Sequence, residues 1–384
     1  MTLTAGCVVI VLSAFVCGCD SQKGGGDPQK EGDRKDDSVA SRPSPRNTKA
    51  LIASERTFSS GLHLAVYVKR EAGGKWERIG VTPSSKPLNI PRCTSWVVSP
   101  PGRHDMNALA QEIAAKKIPG LSLGYWSISD GDLMHLKDLT GLQTLILTQK
   151  RISDVGLAHL KGLTKLQTLD LSGTALLWHT KITDTGLAHL KGLTKLRTLL
   201  LAYRDITDAG LVHLKGMTGL QWLDLAETGI TAAGLVHLKG LTELQRLDLG
   251  GTKITDAGLA HLKGLTGLQK LDLLSTKITD AGLAHLKGLP ELQKLDLTGT
   301  YITDAGLVHL KGLTKLQELN FWEINITDAG LAHLKGLTEM QKLDLTYTKI
   351  TDAGLAHLQG MSGWQELALT DNDITHAGPH HHQA

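Results

Sequence analysis

Hydrophobic and polar residues alternate along most of the chain in a pattern that repeats every 24 residues. The copy from Leu268 to Glu291 reads LQKLDLLSTKITDAGLAHLKGLPE. A six-residue insertion, Ala175–Thr180 (ALLWHT), interrupts the period once. A fixed period of this length predicts a solenoid, because one such unit is too small to bury its apolar face alone. The pattern restarts at Ile118, Leu142, Leu166, Leu196, Leu220, Leu244, Leu268, Leu292, Leu316, Met340 and Trp364.

Each unit predicts a short strand followed by a short helix. Counting from the first leucine, the leucines at positions four and six alternate with polar residues, which is typical of a strand with one buried face. Thr279 and Asp280, at positions twelve and thirteen, supply side-chain oxygens that we expect to cap the N–H groups of the following helix. Leu283 and Leu286 lie three residues apart on one helix face. Strand, turn and helix together form one turn of a right-handed coil.

This repeat resembles the leucine-rich-repeat family, L-x-x-L-x-L-x-x-N-x-L, and is most similar to its bacterial and F-box-associated members, which carry I-T-D-x-G-L. The resemblance implies an α/β right-handed solenoid, a curved arc with a parallel sheet on the concave side and short helices on the convex side. It also implies a non-catalytic module for protein–protein interaction. Threonine stands at position nine in place of asparagine or cysteine, and we expect its hydroxyl to satisfy loop backbone groups: Thr174, Thr228, Thr252, Thr276, Thr300 and Thr348.

Composition and motifs exclude several functional classes. The 384 residues include 41 Lys and Arg against 38 Asp and Glu, a net charge of +3. This balance gives no basic surface typical of nucleic-acid binding, so no nucleic-acid partner is expected. The chain has no G-x-S-x-G, phosphate-loop, H-E-x-x-H or C-x-x-C motif, so no catalytic residue, metal site or cofactor is predicted. We expect a monomer.

The N-terminal residues 1–19 predict a signal peptide. The apolar run Cys7–Cys17 has the length of a signal-peptide core, and Val16-Cys17-Gly18-Cys19 resembles a bacterial lipobox. The resemblance implies cleavage after Gly18 and a lipid on Cys19, which would place the protein in the cell envelope, anchored to a membrane and facing the periplasm or the exterior. An ordinary cleaved signal and an uncleaved anchor are the alternatives. The location is cytoplasmic if the segment is not a signal.

Residues 20–49 are rich in Gly, Pro, Ser and charge, which predicts a disordered linker between the anchor and the folded part.

Residues 50–117 predict a small β element and an N-terminal cap helix. Alternation at Leu62–Val68, a return at Trp76–Val81 and a third strand at Ser95–Val98 suggest the strands, and Asp105 is the expected N-cap. The leucine-rich-repeat solenoid then covers residues 118–384 with eleven repeats, the last one truncated.

Two alternatives to an exported binding module remain open. One is an intracellular adaptor resembling the F-box-associated leucine-rich-repeat proteins, which is disfavoured because the segment before the repeats has no helical F-box pattern. The other is an enzyme or sensor activity within residues 50–117, which is disfavoured by the missing motifs.

Side chains at positions three and five are predicted to point outward from the concave sheet. Position five carries an aspartate in six repeats, among them Asp272, and position three carries Arg246, Lys270, Lys294 and Lys342. We expect acid to alternate with base, so that the face compensates its own charge. The histidines of position eighteen, such as His261, fall on the outer side of the helix and are expected to be polar surface residues.

Departures from the repeat at exposed positions are the candidates for partner binding. Aromatic residues are only 4% of the chain, and Trp, Tyr and Arg dominate interface energetics. Trp222 is the strongest candidate, because its neighbours at position three are Thr198 and Arg246. Neutral drift between copies is the alternative explanation. The predicted contacts to an unknown protein on the concave face are Tyr203, Arg204, Trp222, Arg246, Lys270, Asp272, Leu274, Lys294, Tyr301, Trp322 and Tyr347.

Overall fold

The computed structural model of the chain gives the positions of most residues after the first 55. The predicted signal peptide, the linker 20–49 and the insertion Ala175–Thr180 lie outside the described residues. Within the described part, no helix is long and apolar enough to cross a membrane. The described residues are 56–71, 74–102, 105–124, 128–148, 152–173, 182–359, 361 and 363–375.

A single sheet of 14 strands runs through the described chain, and eleven of its strands come from the repeats. These eleven pair in parallel and in sequence order, with position three opposite position three, as in Lys270 opposite Lys294. The predicted α/β solenoid with a parallel sheet is therefore confirmed. The repeat strands are β6 (Gly120–Ser122), β7 (Thr144–Ile146), β8 (Thr168–Asp170), β9 (Thr198–Leu200), β10 (Trp222–Asp224), β11 (Arg246–Asp248), β12 (Lys270–Asp272), β13 (Lys294–Asp296), β14 (Glu318–Asn320), β15 (Lys342–Asp344) and β16 (Glu366–Ala368).

The segment before the repeats continues the same sheet. The strand β5 pairs in parallel with β6 on one side and antiparallel with β2 on the other, and β3 completes the edge. The helix α1 begins after Asp105, whose carboxylate accepts the Asn107 N–H at 2.8 Å. The elements of this segment are β1 (Arg56–Phe58), β2 (Leu64–Lys69), β3 (Glu77–Thr82), β4 (Leu88–Ile90), β5 (Ser95–Ser99) and α1 (Met106–Lys116). Strands β1 and β4 form a separate antiparallel pair.

Each repeat helix is short, most often a single α-turn that continues as a 3-10 turn. The α-turns are α2 (Asp130–Leu133), α3 (Asp154–Leu157), α4 (Asp184–Leu190), α5 (Asp208–Leu211), α6 (Asp256–Leu259), α7 (Asp280–Leu283), α8 (Asp304–Leu307), α9 (Asp328–Leu331) and α10 (Asp352–Leu355). The 3-10 turns are Met134–Leu136, Ala158–Leu160, Val212–Leu214, Gly234–Leu238, Ala260–Leu262, Ala284–Gly288, Val308–Leu310, Ala332–Leu334 and Ala356–Leu358. The repeat that begins at Leu220 has only its 3-10 turn.

The core consists of rows of identical residues, one from each repeat. In the repeat that begins at Leu268, seven side chains are at most 2% exposed: Leu268, Leu271, Leu273, Ile278, Leu283, Leu286 and Leu289. Each stacks on the equivalent residue of the next coil, since the strands are in register. Burying a leucine side chain is worth about 1.5–3 kcal/mol, so these rows are the main stabilising contribution. The inward positions predicted from the alternation are confirmed.

The aspartate of the I-T-D motif does not cap its own helix as predicted, and instead bridges two repeats. Asp280 Oδ1 accepts the Thr303 backbone N–H at 2.8 Å, and its Oδ2 accepts the Thr303 hydroxyl at 2.6 Å. The threonine does cap: the Thr351 hydroxyl accepts the Ala353 N–H at 3.2 Å. The capping prediction therefore holds for the threonine of some repeats, such as Thr351, but not for Thr279, whose side chain accepts no such bond. It is wrong for the aspartate, whose carboxylate accepts two hydrogen bonds from the neighbouring coil.

Glycine at position fifteen belongs to the same bridge. A Cβ on Gly306 would lie 2.3 Å from Asp280 Oδ1, the oxygen that accepts the Thr303 N–H. Only glycine leaves room for the carboxylate of the preceding repeat. The sequence I-T-D-A-G therefore encodes one contact between coils, with its aspartate on one repeat and its threonine and glycine on the next.

The threonine at position nine satisfies the loop as predicted. In five described repeats its hydroxyl donates to the backbone carbonyl three residues earlier, at 2.6–2.7 Å. The donors are Thr228, Thr252, Thr276, Thr300 and Thr348.

Candidate functional site

The concave face of the repeat sheet forms an open groove of about 480 Å³. Its floor consists of two rows of side chains that run across the strands, one from position three and one from position five. The groove extends from Trp222 on β10 to Glu366 and Ala368 on β16.

The position-three row places an aromatic ring beside a series of charges. Trp222, Arg246, Lys270 and Lys294 are direct neighbours in the strand register. The Arg246 guanidinium lies over the Trp222 ring, 5.2 Å from its centroid. Further along, Lys294 contacts Glu318 and Lys342 pairs with Glu366 at 2.8 Å.

Three positively charged side chains, Arg246, Lys270 and Lys294, follow one another in this row. Burial, and then the charges of Arg246 and Lys294, lower the pKa of Lys270 to about 8. Neither Arg246 nor Lys270 forms an ion pair with a carboxylate in the described part of the chain.

The acidic and basic rows lie side by side as predicted, but no ion pair among the described residues joins position three to position five, so the expected compensation of charge between the rows is not seen. Asp272 Oδ1 accepts the backbone N–H of Leu274 at 3.0 Å, and Asp248 accepts that of Gly250 in the same way. Each carboxylate turns back toward its own strand end, because an N–H two residues later is the nearest donor. Lysines of position three pair with glutamates of their own row instead.

Burial of these carboxylates changes their protonation. It raises the pKa of Asp224 to about 6 and of Asp248 and Asp272 to about 7. Neighbouring aspartates in the row add to the effect, since like charges in register disfavour each other. Asn320 replaces the acid in one repeat and donates from Nδ2 to Asp296 Oδ2 at 3.1 Å.

The charge of Lys69, on the N-terminal hairpin, is coupled to charges of the repeat sheet, and sequence reasoning missed this residue. The Lys69 ammonium lies 4.7 Å from the centroid of the Trp76 ring. Burial, and then the charge of Arg246, lower the pKa of Lys69, while Asp170 raises it. Lys69 and Arg246 are 177 positions apart in the numbering, so only the fold could bring them together.

Arg204 was predicted as an exposed contact and is buried, with 2% of its surface exposed. Its guanidinium donates to the backbone carbonyls of Leu171 and Ser172, the latter at 3.0 Å. Burial lowers the pKa of Arg204 to about 10, although the charge of Asp170 opposes this effect. The side chain turns inward onto carbonyl oxygens of the preceding repeat, and it is not available to a partner.

The remaining candidates lie on the turn that follows each strand. Tyr203 and Tyr347, at position eight, have φ angles of 58° and 56° and are 40% and 56% exposed. A side chain in this left-handed region costs about 1–2 kcal/mol relative to a right-handed one. Trp322, at position seven, is half-buried and meets Tyr347 edge to face, with ring centroids 6.3 Å apart. Tyr301 is 67% exposed, and Leu274 is half-buried.

The geometry is that of a binding surface. The groove is open, and its charged and aromatic side chains stand on rigid strands. Among the described residues, no group of three His, Cys, Asp or Glu side chains is placed to hold a metal ion.

Family comparisons agree with the repeat architecture. Two models described as leucine-rich repeat match residues 242–302 and 337–358. An internalin (inlF) from Listeria monocytogenes is 28% identical, with 71% of this chain and 72% of that chain covered and a TM-score of 0.57. This is a leucine-rich-repeat protein. The fold is one that serves as a protein-interaction module.

Two further solved structures are similar to this leucine-rich-repeat protein over parts of their lengths. Internalin C2 (inlC2) from Listeria monocytogenes is 32% identical, with 50% of this chain and 78% of that chain covered and a TM-score of 0.42. A plant peptide hormone receptor, RGFR1 in complex with RGF2, is 17% identical, with 70% and 49% covered and a TM-score of 0.40. A comparison with curated proteins gives no match.

Proposed function

We propose that this leucine-rich-repeat protein is a non-catalytic binding module that holds a protein partner on its concave face. The observation that carries the proposal is the position-three row, where Trp222 lies beside Arg246 and Lys270 on the floor of the groove. A half-buried indole stacked on a guanidinium offers both an apolar and a charged contact, since Arg246 forms no ion pair with any carboxylate that the structure describes.

The dimensions of the groove favour a polypeptide over a small molecule. Seven strands line it, from β10 to β16, and at about 4.8 Å per strand they present a surface about 29 Å long. Small-molecule sites are concave and enclose most of their ligand, whereas this groove is shallow and open along its length. An extended or helical segment of a protein fits such a surface.

Truncation of the aromatic anchor at the β10 end of the groove tests where the partner binds. Trp222→Ala is expected to weaken a captured partner by about thirtyfold, because the loss of an aromatic anchor costs about 2 kcal/mol. The thermal melt should change little, since the indole stands outside the leucine core. Isothermal titration with the captured partner measures the first effect and circular dichroism the second.

A photo-crosslinking residue gives an independent measure of the same site. Placed at Lys270 on the concave face it should capture the partner, and placed at the exposed Lys263 on the convex side it should not. Capture from Lys263 alone, with affinity unaffected by Trp222→Ala, would place the partner on the other face.

We also propose that the protein is exported and held at a membrane surface by a lipid on Cys19. The support is the sequence of the N-terminal segment, an apolar run that ends at a lipobox-like Val16-Cys17-Gly18-Cys19 and is followed by a polar linker. Anchored in this way, the groove would be presented to partners at the cell envelope.

Replacement of the acceptor cysteine tests this anchor. Cys19→Ser should release the protein from the membrane fraction, and globomycin should block processing of the unchanged chain. The matched change Cys17→Ser should leave the protein in the membrane fraction. If Cys19→Ser protein stays in the membrane with its N-terminal segment uncleaved, that segment is an anchor and not a lipoprotein signal.

A further inference from the structure

The residues at position eight of the repeats form a row along one edge of the groove, which we call the turn row. In the eight repeats from Leu196 onward these residues adopt φ angles between 53° and 65°, so the six that are not glycine present their side chains in the same way. The row has a tyrosine and a glutamate near each end and small residues between them. In order, it reads Tyr203, Glu227, Gly251, Ser275, Gly299, Glu323, Tyr347 and Asp371.

Hydrogen bonds hold the turn row at strand spacing. The backbone N–H of each residue from Tyr203 to Tyr347 donates to the position-seven carbonyl of the next repeat, at 2.8–3.1 Å. Adjacent residues in the row are therefore about 4.8 Å apart. Four such steps separate Glu227 from Glu323, a distance of about 19 Å, which an extended chain covers in about six residues.

The first end of the turn row combines an exposed ring with acidic groups. Tyr203 and Glu227 are neighbours in the turn row, and burial, and then the charge of Glu227, raise the pKa of the Tyr203 phenol. Asp224 and Asp248 have the same effect from the floor of the groove. Asp205, two residues after Tyr203, is exposed beside them.

The second end has the same combination of ring and acids, but the exposed Lys349 stands at position ten beside Tyr347, where the first end has Asp205. The Tyr347 hydroxyl donates a hydrogen bond to the Asp371 carboxylate, which raises the pKa of the phenol, and the charge of Glu323 acts in the same direction. The Trp322 ring meets Tyr347 at an interplanar angle of 68°. None of the four ion pairs found among the described residues uses Glu227, Glu323 or Asp371.

Between the two ends the charge is of the opposite sign. Lys253 and Lys277, at position ten, are exposed beside Gly251 and Ser275. They disfavour a cation over the middle of the turn row. The Glu227 carboxylate leans over Gly251, and the small residues Ser275 and Gly299 leave room for a polypeptide backbone beyond it.

We propose that the turn row binds an extended segment of the protein partner that carries two basic side chains about six residues apart, with uncharged residues between them. At each end, an arginine or lysine packs against an aromatic ring and pairs with a carboxylate that has no cation of its own. The inference rests on the proposed function, since it specifies which kind of protein segment the groove edge recognises.

Capped synthetic peptides test this spacing directly. One probe has two arginines separated by five neutral residues, and a second has the same composition with the arginines adjacent. A third replaces both arginines with glutamates. Fluorescence anisotropy should give at least about a tenfold preference for the first peptide, because only it reaches both ends at once, and no binding of the third.

Substitutions in the turn row test whether the peptides bind there. Glu227→Gln and Glu323→Gln should each weaken the first peptide by about fivefold or more, and the double variant should abolish the preference for spaced arginines. Glu243→Gln, an exposed glutamate on the opposite edge, is the matched control and should change nothing. Equal affinity for the two arginine peptides, binding that survives both changes, no binding, or a preference for glutamate would each overturn the proposal.

The peptide experiment and the Trp222 experiment can fail independently of each other. If the arginine peptides fail while a partner captured by the full chain still depends on Trp222, concave-face binding stands and the turn row is not its specificity element. If the peptides bind through Glu227 and Glu323 while Trp222→Ala has no effect on the captured partner, the turn row is a site and the groove floor is not.

Discussion

At the scale of single residues, the position-five aspartates show that an acidic side chain repeated in register on neighbouring strands can lower the stability of the fold. Asp248 and Asp272 each accept one backbone N–H, but their neighbours in the row are also carboxylates. Burial and this repulsion raise the pKa of both to about 7. Asn320 keeps the backbone hydrogen bond, to Trp322 at 3.0 Å, without the charge.

Replacing one of these acids should make the protein more stable at high pH. The folded chain holds a proton on Asp272 between about pH 4 and pH 7 that the unfolded chain has released, so stability falls as the pH rises through this range. Asp272→Asn removes that loss and should raise the free energy of unfolding at pH 8 by at least about 1 kcal/mol, with little difference at pH 4. Urea melts from pH 4 to pH 8 measure it, with the exposed Asp205→Asn as control. A gain that is the same at both pH values would contradict this explanation.

At the scale of the repeat element, the interface between coils depends on one aspartate. Nine interfaces among the described repeats carry the bridge from aspartate to the next threonine or serine. The repeat that begins at Leu220 has Ala232 at this position. Thr255 on the next coil has no such acceptor, and the turn after Thr231 is a 3-10 turn throughout. This interface therefore lacks the two hydrogen bonds that the other nine have.

Restoring the acid should strengthen that interface. Gly258 already leaves the space that the carboxylate needs, with Ala232 and Leu235 as its nearest neighbours. Ala232→Asp is expected to raise the free energy of unfolding by about 1–2 kcal/mol, the value of hydrogen bonds to a charged acceptor. Ala233→Asp adds the same charge one residue later, where the side chain is exposed, and should give no comparable gain. Equal effects in denaturant melts would mean that charge, and not the bridge, is responsible.

At the scale of the whole molecule, the two ends of the repeat sheet differ. The first repeat strand, β6, pairs with β5 of the N-terminal segment, and the sheet continues into the β2–β3 hairpin. At the other end β16 pairs with β15, and nothing among the described residues pairs with its outer edge. Leu367 and Leu369 of the last repeat are half-buried, whereas their equivalents in the middle of the array are fully covered.

The same substitution should therefore cost different amounts along the array. Leu271→Ala, at position four of a central repeat, should lower the free energy of unfolding by about 2–5 kcal/mol. Leu367→Ala, at position four of the last repeat, should cost less than about 1 kcal/mol, because a terminal coil can fray without opening its neighbours. Equal losses for the two variants would show that the last coil is as well covered as the centre.

The sequence by itself determined the solenoid, its period, its buried rows and the outward direction of Trp222, because each depends on alternation within one repeat. It also predicted that the position-nine hydroxyls form hydrogen bonds with the loop backbone, because donor and acceptor lie three residues apart in one turn. The contacts that cross from one coil to the next were decided only by the tertiary structure: the bridge from Asp280 to Thr303 and the inward turn of Arg204 onto Leu171. The residues joined in these contacts are 23 and 33 positions apart. Stacking in register sets their partners, and a pattern within one repeat carries no information about which donor the next coil presents.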